Sequence, residues 1–155
     1  MNIKEIIKEL CENFNIPPID IDEHSNYILT INGKNIHIEK SLNHESVYIY
    51  SYIFPALNKH DDELAKKLME INAYGKVTGT AQISFSPEKS QFVLSETFIL
   101  NSIENETISN RLKEWEELLD YFEEQWPKWQ LEFLASSSLS KKESIEQSEK
   151  LLFKL

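Results

Sequence analysis

The chain is poor in the residues from which most chemical sites are built. Cys11 is the one cysteine among 155 residues, which excludes an internal disulfide and any CxxC zinc or redox pair and fits a reducing compartment. Three glycines, Gly33, Gly75 and Gly79, are too few and too scattered for a phosphate-cradling loop, and neither a GxSxG nor a P-loop pattern occurs. Basic residues number 16 against 26 acidic ones, a formal charge of −10. That balance argues against nucleic acid and anionic membrane as partners, because both are held by clustered Lys and Arg. No run approaches the roughly 18 apolar residues of a membrane span. The opening MNIKEIIKELCENF lacks the apolar core and small-residue cleavage site of a signal peptide, so a cytoplasmic protein is expected.

What is present suffices for one folded domain, since 41 % of the residues are hydrophobic. Ile3, Ile7, Leu10 and Phe14 follow spacings of four, three and four and predict a first helix, stopped by Pro17 and Pro18. Tyr27 to Ile31 and Asn35 to Glu39 flank Asn32-Gly33, a strong hairpin signal because a type I′ turn requires positive φ at both central residues. Val47 to Phe54 is apolar or aromatic at nearly every position and reads as a strand with both faces occupied. Asp61 and Asp62 precede Leu64, Leu68 and Ile71, predicting a second helix that ends near Tyr74-Gly75. Ala81, Ile83 and Phe85, then Phe92, Leu94, Phe98 and Leu100 around a Ser86 to Lys89 turn, predict another hairpin. Ile108, Leu112, Trp115, Leu119, Phe122 and Trp126 alternate by four and three within a long helix from about Ile103.

Beyond Pro127, Ser136 to Ser140 reads as a flexible linker, followed by a short amphipathic tail carrying Ile145, Leu151, Leu152 and Phe153. The expected division is a body at 1–130 and a linker with tail at 131–155. The order of helix, three strands, helix, two strands and long helix, with strands arriving as hairpins, predicts an α+β fold with an antiparallel sheet.

Candidate chemistry is sparse. His24, His37, His44 and His60 show no helical or strand spacing that would aim two imidazoles at one metal, and a zinc site needs about four ligands. No metal or cofactor is expected. Cys11 lies between Glu9 and Glu12, whose charge disfavours a thiolate. The pairs Glu116-Glu117 and Glu123-Glu124 read as a solvated helix face. Tyr48, Tyr50 and Tyr52 point to one side of their strand, and two roles are open to them: packing beneath a helix, or a contact surface.

The stretches Leu64 to Gly75, Gly79 to Ser86 and Phe92 to Phe98, with the long helix closing on Trp126, resemble the class I type III secretion chaperones, of Tir-chaperone-like fold, over about residues 1–129. The resemblance implies a non-enzymatic, cytoplasmic homodimer of a Gram-negative bacterium. It would bind the disordered N-terminal segment of one or more secreted effectors, without ATP, and leaves the secretion ATPase open as a further partner. Mapped by that resemblance, effector contact falls on Ile3, Ile7, Leu10, Ile36, Ile38, Tyr48 and Tyr50, with Ile7 and Ile38 taken as exposed. The dimer seam falls on Leu64, Leu68, Ile71, Ile83 and Phe85. About 25 residues after Trp129 depart from the family's short acidic tail; they could dock on the body, cap an empty effector groove or meet a further component. The alternative is an adaptor or regulatory protein of the same fold that binds a folded partner.

Overall fold

Asn2 starts the first helix by a reciprocal cap: its side-chain oxygen accepts from the Glu5 amide and the Glu5 carboxylate accepts from the Asn2 amide, both at 3.0 Å. The computed structural model describes residues 2–19, 26–41, 45–55, 62–100 and 105–154. Within them the order is α1 (Ile3–Asn13), β1 (Tyr27–Ile31), β2 (Lys34–Lys40), β3 (Ser46–Ile53), α2 (Asp62–Asn72), a 3-10 turn (Ala73–Gly75), β4 (Gln82–Ser86), β5 (Gln91–Ile99) and α3 (Asn105–Leu152). This is the α+β order that the sequence predicts, except at the C-terminal end. His24, His44, His60, Asp61 and Ile103 lie outside the described residues.

The strands form one antiparallel sheet in the order β1-β2-β3-β5-β4. Asn32 and Gly33 both take positive φ, 48° and 78°, as the hairpin between β1 and β2 requires. One sheet face is apolar and buried: Leu29, Ile36, Ile38, Val47, Ile49 and Leu94 pack into a core with Ile3, Ile7 and Leu10 of α1 and Leu112, Trp115 and Phe122 of α3. The stripe read on the long helix is therefore its core face, continued by Trp129.

Two sequence expectations fail on α3. Its helix runs unbroken through Pro127 and through Ser136 to Ser140, where a linker was expected. Proline removes the donor that would meet the Glu123 carbonyl, yet packing holds both sides of it. Phe54 touches Trp126 and Trp129 at ring separations of 4.8 and 5.9 Å, and Lys67 of α2 lies 5.4 Å over Trp129. Further along, Ser138 and Ser148 donate their hydroxyls to the carbonyls of Leu134 and Ser144 at 2.9 and 2.8 Å, so these serines turn back onto the helix as additional donors. Beyond Trp129 the helix is exposed apart from the half-buried Phe133.

Candidate protein-binding surfaces

Strand alternation places Ile28, His37, Tyr48, Tyr50, Tyr52, Ser95 and Thr97 on the sheet face opposite the core, and none of them is buried. Of the two roles open to the tyrosines, the structure therefore favours a surface over packing beneath a helix. The His37 and Tyr50 rings stack at 4.7 Å and 11°, and Tyr52 meets both edge-on at 5.5 and 5.9 Å. The Tyr50 hydroxyl donates to the Glu39 carboxylate at 2.6 Å. Burial and that carboxylate push the Tyr50 phenol well above its usual range, and burial pulls the His37 imidazole below its ordinary value against the opposing charge of Glu39. At neutral pH the cluster is thus a neutral aromatic platform with one carboxylate at its edge.

The five aliphatic residues assigned to partner contact are not on any surface. Ile3, Ile7, Leu10, Ile36 and Ile38 are each at most 1 % exposed, and the expectation that Ile7 and Ile38 are exposed is corrected. The physical reason is that α1 packs beside α3 in the one core that also takes in Ile36 and Ile38, so the stripe and the apolar sheet face share a single interior. Tyr48 and Tyr50 remain accessible, Tyr48 at 45 %. The outer flank of α1 instead borders an apolar cleft of about 440 Å³ lined by Lys4, Lys8, Cys11, Ile16, Pro18 and Ile19. The Cys11 thiol is itself buried, which raises its pKa, with a further push from Glu12 against a backbone hydrogen bond from Ile19.

The residues assigned to a dimer seam divide similarly. Leu64 and Leu68 belong to the core, Ile71 and Ile83 are half-buried, and Phe85 is exposed. Asn72 ties α2 to β4, its side chain accepting from the Ile83 amide at 2.9 Å. Around that junction Met69, Tyr74 and Val77 are exposed together with Phe85. Sequence reading missed these three; for Met69 the only signal was its place between buried Leu68 and half-buried Ile71 on an amphipathic helix.

A buried polar node was also missed. Glu96 stands on the core face of β5 between Leu94 and Phe98 and accepts from Arg111 Nε at 2.9 Å and from Trp115 Nε1 at 2.8 Å, with Thr80 as a further donor. Arg111 also donates to the Thr78 carbonyl at 2.8 Å and pairs with Glu114. Burial alone would lower the Arg111 pKa, but the hydrogen bonds and charges of Glu114 and Glu96 outweigh it and raise it. Nor are all the glutamates of α3 merely solvated: Glu116 accepts from Asn32, and Glu123 from Lys34.

Among the described residues no helix is long and apolar enough to cross a membrane. Residues 5–121 match the Tir chaperone protein (CesT) family. A search of curated proteins returned no match. Among solved structures, the chain is similar to a chain of the HopA1-SchA chaperone-effector complex at 9 % identity and a TM-score of 0.62, covering 78 % of this chain and 92 % of that one. It is similar to a chain of the type III secretion chaperone SycH of Yersinia pestis in complex with a fragment of YscM2, at 9 % identity and 0.57, covering 77 % and 98 %. A chain of the ExoT-SpcS complex of Pseudomonas aeruginosa aligns at 17 % identity and 0.55, covering 80 % and 98 %. At these identities the likeness is one of fold.

Proposed function

The chain belongs to the Tir chaperone protein (CesT) family, and on that premise we propose that it is a cytoplasmic, non-enzymatic type III secretion chaperone. It holds the N-terminal segment of one or more effectors in a soluble, secretable state without ATP. The observation that carries this reading is the family match over residues 5–121. Two of its fold relatives come from structures described as a chaperone with an effector and as a type III secretion chaperone with a bound fragment, which supports the same reading.

The physical requirements are met by the surfaces described. A disordered segment must recover its ordering free energy from apolar burial and backbone pairing. The tyrosine face around Tyr48 and Tyr50, and the apolar cleft beside α1, offer such burial on a strongly charged and hence soluble body. Homodimerisation through the α2–β4 junction, with Ile71, Ile83 and Phe85 at the seam and Met69 and Tyr74 added to it, would cover the exposed apolar residues there. Leu64 and Leu68 support that seam from beneath. We take residues 131–155 as a tail outside the chaperone body: they lie beyond the family match and, apart from Glu132 and Phe133, which still touch the body, continue α3 as exposed helix.

Purification of the tagged protein from its native cells, with mass spectrometry and limited proteolysis of what accompanies it, tests this reading. The expected result is a stoichiometric partner, protected over a segment near its N-terminus, with two copies of this chain. A folded partner, or a partner bound to a monomer, would overturn the chaperone assignment or the dimer respectively.

A further inference from the structure

The sheet is forked. The pairing of β2 with β3 stops at His37 opposite Tyr50, whereas β1 stays paired with β2 to Ile31 opposite Lys34 and β3 stays paired with β5 to Ile53 opposite Phe92. Past His37 and Tyr50 the two strands part, and a side chain takes over from the ladder: the Ser51 hydroxyl donates to the Asn35 carbonyl at 2.8 Å. The fork opens into a cleft of about 540 Å³, within the range of sites that enclose a ligand. Leu119, Phe122 and Trp126 of α3 line it on the core side, and Asn35, His37 and Gln91 supply polar groups.

Phe54 completes one wall in a way that strand alternation does not anticipate. By alternation it belongs with Tyr48, Tyr50 and Tyr52 on the open face, but at φ 65° the chain turns and the ring meets Phe122 and Trp126 of α3. Positive φ at an aromatic residue is strained backbone. Gln91 fastens the turn, donating to the Phe54 carbonyl at 2.8 Å.

Charge beside the cleft is one-sided. Glu116, Asp120 and Glu123 stand on one stripe of α3; Lys34 lies 3.0 Å from Asp120 and also pairs with Glu123, while Glu116 accepts from the Asn32 side-chain amide. Asp120 and Glu123 remain largely exposed, with side-chain accessibilities of 59 % and 69 %. Among these groups three carboxylates stand against one ammonium, so a cation arriving there meets a rim of net negative charge.

We propose that the fork between β2 and β3 is a side-chain pocket for an extended, basic peptide segment of the partner. One large apolar side chain fills the space over Leu119, Phe122 and Trp126, and a neighbouring Arg or Lys meets Asp120 and Glu123. An extended chain fits because the two diverging strands offer backbone along the pocket walls. The apolar floor supplies affinity and the carboxylates select basic neighbours. This inference rests on the chaperone reading.

The test uses the full chain and a fluorescein-labelled peptide, GRSFRSLRSG, followed by anisotropy and by the indole N–H signal of Trp126, assigned with Trp126→Phe. Controls are the peptide with Phe and Leu replaced by Ser, and the peptide with Arg replaced by Glu. Asn35→Trp fills the fork, Glu123→Lys reverses its rim at an exposed position, and Glu143→Lys makes the same charge change at an exposed position on the far end of α3. Binding should weaken at least tenfold for Asn35→Trp and for either control peptide, and several-fold for Glu123→Lys with a shallower salt dependence. Glu143→Lys should bind as the unmodified chain does, and the Trp126 signal should shift on binding. Unchanged binding by a folded Asn35→Trp or by Glu123→Lys, an unmoved Trp126 signal, or no binding of the parent peptide would overturn the pocket. The same variants are then tested for retention of the native partner. Retention by all of them discards the pocket and keeps the chaperone reading, whereas no client segment on the unmodified chain discards that reading itself.

Discussion

Arg111 of α3 and Glu96 of β5 meet at 2.9 Å with side chains only 14 % and 6 % exposed. Around this pair the long helix, the outer half of the sheet and the segment leading into β4 are joined, because Trp115, Thr78 and Thr80 are bonded to the same two side chains. Buried ions are tolerated only when each is paired and hydrogen-bonded.

Removal of one member should therefore be severe. Glu96→Ala leaves Arg111 charged and the Trp115 indole without its acceptor, and the expected loss is about 3–5 kcal/mol. Urea unfolding followed by tryptophan fluorescence measures it. A loss below about 1 kcal/mol, the value of an exposed pair, would mean that the node is solvated.

Gly79 lies against this node. Its φ of 64° is strained for other residues, and a Cβ there would meet the Arg111 guanidinium at 3.1 Å. Gly79→Ala should cost about 1 kcal/mol or more, while Gly33→Ala, with open space around it, should show the backbone penalty alone. Equal midpoints for the two variants in denaturant would refute the guanidinium contact.

Ile7 and Tyr48 separate a core role from a contact role. Ile7 is fully buried and Tyr48 is 45 % exposed. Ile7→Asp places a carboxylate in the core and should unfold the chain or lower its melting temperature sharply. Tyr48→Asp should leave the melting temperature within a few degrees and weaken client binding instead. Circular dichroism melts and client pull-down on both variants give the comparison, and a stable Ile7→Asp protein would contradict the packing of α1.

His37 gives the fold a dependence on pH. Its folded pKa lies below the ordinary value of about 6.5 because burial disfavours the imidazolium. The unfolded chain then binds the proton more readily, so the stability from neutral His37 is complete above about pH 6.5 and is lost as pH falls toward the folded pKa. His37→Gln should flatten this part of the stability curve while leaving the carboxylate-dependent fall at lower pH. Identical slopes for the two proteins between about pH 6.5 and 5 would show that His37 is fully solvated.

The sequence by itself determined the elements and their kind. Periodicities of two and of 3.6, the Asn32-Gly33 turn and the prolines after α1 are local properties of the chain, and local sterics act the same way in any fold. The long stripe from Ile108 to Phe122 announced a core helix for the same reason. Which face of each element meets which other face is a property of the assembled layers, and there the sequence was ambiguous. The α1 stripe serves equally for a core and for a docking groove, and only its packing beside α3 in the interior shared with Ile36 and Ile38 made it core. Glu96 and Arg111, 15 positions apart, carry no local sign of their pairing. Pro127 ought to end a helix, and contacts from Phe54 and Lys67 kept it intact. Phe54 likewise turns toward α3, a choice made by aromatic packing across the layers and invisible to strand alternation.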